Sequence, residues 1–261
     1  MASPPNPELV GRCEALRSLH RPGDPVLLPN AWDAATAKAV VAAGFPAVAT
    51  TSWGVAATLG YEDDEAAPGD EMFWLATRIA RAVDVPVTID AEAGYGLEPA
   101  ALVAALRDAG AAGCNLEETD HRAGRLRDPE EHATWLAAVR EASAELDYPL
   151  VINARVDTYL QGYIDQVGPG TQSALVADAL QRATAYRDAG ADCVYPICLW
   201  EPDALRTFMS EFHGSVNIAR VPEAPGLAEL AALGVARVSW AILLHVDAMA
   251  RFTEQLESLR G

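Results

Sequence analysis

The chain has 261 residues, 51% of them hydrophobic, and sets 19 Lys and Arg against 37 Asp and Glu for a formal net charge of -18 at pH 7. That balance speaks against a phosphate-backbone partner, which needs a basic face, so no nucleic acid is expected. An anionic substrate would approach against the overall field, and local cations or a metal must reverse the sign at its site. No apolar run approaches the roughly 20 residues of a membrane span, so no membrane partner is expected. The opening Met1-Ala2-Ser3-Pro4-Pro5-Asn6-Pro7-Glu8 lacks a basic segment followed by an apolar one, and cytoplasmic residence is the expectation. Cys13, Cys114, Cys193 and Cys198 show no paired metal-ligand spacing and are expected to be buried, reduced thiols.

Along the chain, strand-like apolar runs fall at 26–28, 47–50, 87–89, 113–116, 150–152, 193–195, 216–218 and 236–239. Four of them follow a helix-like stretch that closes on glycine, at Ala43-Gly44, Ala109-Gly110, Ala189-Gly190 and Leu233-Gly234. Glycine tolerates the left-handed conformation that ends many helices, so the recurrence marks helix-to-strand junctions. Asp128-Pro129-Glu130-Glu131 offers an N-cap, a proline at the first helical position and acids in the first turn, and Trp135, Ala138, Val139 and Ala142 then follow at helical spacing. Eight strands alternating with helices imply a parallel sheet. At this length they predict a closed (β/α)8 TIM barrel forming a single domain over 1–261, with a doubly wound open sheet as the alternative. No G-x-G-x-x-G or P-loop pattern follows the first strand, so nothing points to a dinucleotide or NTP site.

A barrel places its active site at the C-terminal strand ends. The first two strands run into Asn30-Ala31-Trp32-Asp33 and Thr51-Ser52-Trp53-Gly54, and the third into Asp90-Ala91-Glu92-Ala93-Gly94-Tyr95-Gly96. The fourth runs into Glu117-Glu118 and the fifth into Asn153-Ala154-Arg155-Val156-Asp157. If the strand continued, Asp90 and Glu92 would point to one side, and two such carboxylates repel unless a cation such as Mg²⁺ joins them. Several acids aimed at one axis favour a metal site. Asp33 reads equally as a helix N-cap or a ligand-facing group. Glu118 is expected to turn away if Glu117 turns in. Arg155 either neutralises Asp90 or Glu92, or holds a substrate carboxylate or developing oxyanion. His121 reads as a surface histidine, and the tryptophans as core or lid packing.

With these motifs the chain resembles the isocitrate lyase and phosphoenolpyruvate mutase superfamily over most of its length. The resemblance rests on Pro29-Asn30-Ala31-Trp32-Asp33, Thr50-Thr51-Ser52, Gly60-Tyr61-Glu62-Asp63, the 90–96 segment, Asn115-Leu116-Glu117 and Asn153-Ala154-Arg155, in that order. It implies a barrel whose last helix, here 241–259, is exchanged with a neighbouring subunit in a homo-tetramer or dimer. It implies Mg²⁺, or Mn²⁺, held directly or through water by Asp63, Asp90, Glu92 and Glu117. It also implies a substrate carboxylate bound at Thr51, Ser52 and Trp53, with Arg155 as the catalytic group stabilising charged oxygens beside Asp90. The chemistry implied is that of a Mg-dependent lyase acting on a small anionic 2-oxo or 2-hydroxy carboxylate through an enolate, including oxaloacetate-type decarboxylation or hydrolysis. Alternatives are a phosphonate P–C mutase or hydrolase and a noncatalytic 2-oxo acid-binding barrel. One departure is plain: where the superfamily's lyases carry Lys-[Lys/Arg]-Cys-Gly-His and its mutases a Lys and an Asn, this loop reads Glu118-Thr119-Asp120-His121-Arg122-Ala123-Gly124-Arg125.

Overall fold

A computed structural model describes residues 5–166 and 170–260; residues 1–4, on which the export reading partly rests, lie outside the described residues. Eight parallel strands follow the order read from the sequence: β1 (Val26–Leu28, resumed after Pro29 as Asn30–Ala31), β2 (Val48–Thr50), β3 (Val87–Asp90), β4 (Gly113–Glu117), β5 (Val151–Val156), β6 (Cys193–Pro196), β7 (Asn217–Ala219) and β8 (Arg237–Ser239). Pro29 has no N–H to give to a ladder, which is why β1 is written in two pieces. Strands pair with their neighbours in chain order from β1 to β6, β7 pairs with β8, and β8 returns to β1 with Arg237 opposite Val26. A parallel bridge between Val194 and Val216 links β6 to the residue before β7. The pairings therefore run round a ring, the (β/α)8 barrel rather than the open sheet.

The helices are α1 (Pro7–Leu19), α2 (Ala34–Ala42), α3 (Ser52–Leu59), α4 (Gly69–Ala80), α5 (Pro99–Ala109), α6 (Pro129–Glu145), α7 (Leu160–Ile164), α8 (Val176–Asp188), α9 (Pro202–Glu211), α10 (Leu227–Ala232) and α11 (Leu243–Ser258). The junction glycines Gly44, Gly110, Gly190 and Gly234 have φ of 90, 81, 101 and 87°, the left-handed turn the sequence pattern requires. Asp33 is an N-cap: its carboxylate accepts from Thr36 N at 2.7 Å, in a reciprocal capping box. Asp128 caps α6 through Glu130 N at 2.9 Å. The buried face of α6 is His132, Leu136, Val139 and Ser143, one position round from the apolar stripe expected, and Trp135 is only half-buried. A polar pair on the buried side made the sequence periodicity point slightly astray.

The buried apolar residues form one cluster reaching from Leu9 to Val238. α1 packs under the barrel closely enough that a Cβ on Gly113 would lie 2.8 Å from Leu16 Cδ2 and 2.7 Å from the Val151 carbonyl oxygen, so only glycine fits there. All four cysteines are free and buried. Burial pushes each thiol up to about 12. The terminal helix is shorter than expected: Ile242 is the N-cap of α11, and Ala241 before it has φ 48°. No residue of α11 is buried, and Val246, Met249, Phe252 and Leu256 stand at 42, 47, 52 and 47% exposure. Among the described residues no helix is long and apolar enough to cross a membrane.

Candidate active site

Asp90 is the last residue of β3. Its N–H donates to Thr50 Oγ1 at 2.8 Å, and its Oδ2 accepts from Ser52 N, in the first turn of α3, at 3.2 Å. The expected strand alternation does not aim Glu92, because the chain leaves extended geometry after Asp90 and Glu92 has φ 45°. Its carboxylate is instead oriented by Glu65 N, 2.6 Å from Oε2, and the Tyr95 hydroxyl, 2.8 Å from Oε1. Gly94, at φ 93°, allows this turn to pack on Trp135, which a Cβ there would approach to 2.9 Å.

On the next two strands Glu117 lies opposite Arg155 in register, and the two form an ion pair through Oε2 and Nη1. Arg155 also donates to Asp157 from Nε at 2.6 Å and from Nη2 at 3.2 Å. It thus neutralises Glu117 and Asp157 rather than Asp90 or Glu92, and two of its five N–H groups are left for a substrate oxygen. Glu118 does turn outward: its Oε1 accepts from Asp157 N at 2.8 Å and its Oε2 from Arg182 Nη1 at 2.8 Å and from the Tyr186 hydroxyl. His121 corrects the surface reading. Its side chain is 11% exposed, with Nε2 2.5 Å from Glu117 Oε1 and Nδ1 3.6 Å from Asp64 Oδ1. Burial opposes its charge, but the Glu117 hydrogen bond and the surrounding acids lift it to about 9. The only sequence signal was its place four residues after Glu117.

A cavity of about 440 Å³ at the strand ends is lined by Thr51, Ser52, Trp53, Asp63, Asp90, Glu92, Glu117 and Arg155, so every residue that the family resemblance assigned to metal or substrate reaches it. Of the tryptophans read as core or lid packing, Trp53 and Trp74 are exposed to 39 and 53% and so are not core, and Trp53 lines the cavity. Sequence reasoning missed Asp64 and Tyr195 in the lining and gave no role to Asn115. Asn115 Oδ1 accepts from Asn153 Nδ2 at 2.8 Å and from the buried Arg237 Nη2 at 3.0 Å, which leaves the Asn115 NH₂ as the group free to meet a ligand. Positive φ at Asp64, Glu92, Cys198 and Ala241 gathers strained backbone on this one cavity.

The acids are not comfortable together. Burial and the Asp90 charge raise Asp63 to about 6, and burial and the Asp63 charge raise Glu92 to about 8. Burial raises Glu117 as well, against the pull of Arg155. Asp63 Oδ1 and Asp90 Oδ1 are buried with no hydrogen-bond partner. Among the described residues no three His, Cys, Asp or Glu side chains are spaced to hold a metal ion by themselves.

An acid-lined cavity with one guanidinium, set at the C-terminal strand ends of a (β/α)8 barrel, defines a small-ligand barrel of the kind in which enzymes place their active sites. The phosphoenolpyruvate phosphomutase family model matches residues 16–260, and the chain belongs to that family, within the isocitrate lyase and phosphoenolpyruvate mutase superfamily of lyases and mutases. A Mycobacterium tuberculosis protein of unassigned function is 36% identical over 86% of this chain and 81% of its own length. The 2,3-dimethylmalate lyase of Eubacterium barkeri is 32% identical over 65% of this chain and 57% of its own. Among solved structures, a phosphonomutase candidate from Burkholderia cenocepacia superposes with a TM-score of 0.86 at 39% identity, covering 94% of this chain and 99% of that one.

Proposed function

We propose that this chain is a Mg²⁺-dependent lyase, with Mn²⁺ as a substitute, that cleaves a carbon–carbon bond of a small 2-oxo or 2-hydroxy carboxylate through an enolate. The observation that carries the reading is the pair of buried, unpartnered oxygens, Asp63 Oδ1 and Asp90 Oδ1, on residues lining one cavity with Arg155. Buried anionic oxygens without partners are costly, and a hard dication relieves both the desolvation and the mutual repulsion that push these acids up. Asp63 and Asp90 would hold it directly. Glu92 and Glu117, whose oxygens are already engaged by Glu65 N, Tyr95, His121 and Arg155, would act through water. Mg²⁺ commonly takes one or two carboxylates, several waters and substrate oxygens, so a three-ligand protein cage is not required. When bound it would supply Lewis-acid stabilisation to carboxylate and keto oxygens.

The remaining work belongs to the chain. Thr51 precedes α3 as its N-cap without spending its hydroxyl on a cap bond, so that hydroxyl and the Trp53 and Gly54 N–H groups, which follow the Ser52 N–H given to Asp90, are available to a substrate carboxylate. The free N–H groups of Arg155 meet the oxygen on which charge develops, and removing such a donor costs on the order of 10²-fold or more in rate. Lyases and mutases among the relatives support an enzyme of this type. We also propose that the uncovered apolar face of α11 packs on a second copy of the chain, in a dimer or tetramer.

The decisive test uses the enolate itself. An enzyme that protonates an enolate must, by reversibility, exchange the C3 hydrogens of a bound 2-oxo acid with solvent. Proton NMR of 2-oxobutanoate in deuterium oxide should show loss of the C3 signal that needs both protein and Mg²⁺. Binding without exchange favours the noncatalytic barrel, and rearrangement or cleavage of phosphonopyruvate favours the P–C reading.

A further inference from the structure

The same cavity has two unlike halves. The acids and Arg155 come from β3, β4, β5 and the 63–64 loop. The half built from β6, β7, β8 and the segment after β8 contributes Ile197, Ala219, Val221, Ile242 and Leu243 beside the uncharged hydroxyls of Tyr195 and Ser239, and Leu160 of α7 joins them. In an eight-stranded ring β7 and β8 stand across the barrel axis from β3 and β4, so a ligand whose head lies by Asp90 and Arg155 extends its tail toward an aliphatic wall.

Among the described lining residues Arg155 is the one Lys, Arg or His. Arg220, next to Val221 in sequence, is not among the lining residues, and its Nη1 donates to the Val221 and Ala224 carbonyls at 2.8 and 3.1 Å. A second carboxylate or a phosphonate at the tail would therefore lose its water and meet no counter-charge, in a chain whose net charge is already -18. An alkyl tail would gain from the same wall.

Resting on the 2-oxo acid reading above, we propose that the substrate is a monoanion: one 2-oxo carboxylate head and an uncharged aliphatic tail with a hydroxyl on C4, so that the C3–C4 bond breaks with its electron pair left as the enolate, the tail departs as an aldehyde and the hydroxyl proton passes to a carboxylate of the site. Oxaloacetate, tricarboxylates and phosphonopyruvate are then poor ligands, and Ile197, Val221, Ile242 and Leu243 set specificity by excluding charge at the far end.

Calorimetry on the full-length wild-type chain in Mg²⁺ buffer tests this without turnover. The titrants are pyruvate, 2-oxobutanoate, 2-oxopentanoate, 2-oxoglutarate, oxaloacetate and phosphonopyruvate. Each added methylene should tighten binding roughly three- to fourfold, and 2-oxoglutarate should bind at least about tenfold more weakly than 2-oxopentanoate, the acid it matches in chain length. Ile242→Lys, at a position 36% exposed and therefore tolerant of substitution, should narrow or invert that preference. Binding that is flat along the alkyl series, or a dianion that binds as well as 2-oxopentanoate, overturns the proposal while leaving the 2-oxo acid reading standing. If none of the acids binds, pyruvate included, the 2-oxo acid reading itself fails and takes this one with it.

Discussion

Replacing His132 by Phe, or by Leu as a smaller control, isolates the acid sensitivity of the wall behind the site. His132 is fully buried on α6, its ring 5.5 Å from Trp135 and 4.9 Å from Tyr186, with neither ring nitrogen hydrogen-bonded. Burial, with a smaller contribution from the Arg127 charge, lowers its pKa from 6.5 to about 3. The unfolded chain takes up this proton near pH 6.5 and the folded one only near pH 3, so stability is fully present above 6.5 and is lost progressively as pH falls toward 3. Between pH 6.5 and 5 the loss is about 2 kcal/mol, at roughly 1.4 kcal/mol per pH unit. For a chain of this size that corresponds to about 4–8 °C in Tm. Scanning calorimetry at pH 7 and pH 5, at one protein concentration and ionic strength, should show the fall in Tm smaller by that amount in His132→Phe, while His20, lowered to about 4, keeps its own share in both proteins. An identical fall in wild type and both variants would refute the reasoning. The consequence reaches the site, because Tyr186 bonds Glu118, Glu118 receives Asp157 N, and Asp157 brackets Arg155.

Asp90→Ala should weaken Mg²⁺ binding by at least about tenfold in calorimetry with a 2-oxo acid present, since it removes one of the two unpartnered carboxylate oxygens; unchanged affinity would rule the metal assignment out. Light scattering at micromolar concentration should give a dimer or tetramer, and Phe252→Glu with Leu256→Glu should shift it toward monomer; a wild-type monomer would count against pairing through α11. Arg155→Lys keeps a charge but loses the planar fork that grips Asp157 twice, and C3 exchange should drop on the order of 10²-fold. Alkylation with iodoacetamide under native conditions should leave exchange intact, because all four thiols are buried and held at about 12; loss of exchange both on alkylation and in Cys198→Ser, at the thiol that lines the cavity, would point to a cysteine mechanism.

The barrel was legible because its signals are local. A glycine at φ near 90° after α2, α5, α8 and α10, a capping acid before α6, and an apolar run of strand length each depend on residues within a turn of one another, and the ring follows from their repetition. The acids at the strand ends were legible for the same reason. What the sequence concealed depends on contacts between distant segments. Glu92 is aimed by Glu65 and Tyr95 after the strand has already ended, so a period of two could name the residue but not its direction. Arg155 finds Glu117 because β4 and β5 pair in a particular register, which no motif states. His121 is drawn inward by that same Glu117. The aliphatic half was hidden for a subtler reason: Ile197, Val221 and Leu243 have the composition of core, and only the closure of the ring turns them toward a cavity instead of a helix. A charged motif therefore reveals where a barrel does its chemistry, whereas the apolar residues that choose its substrate become visible only once the strands are in place.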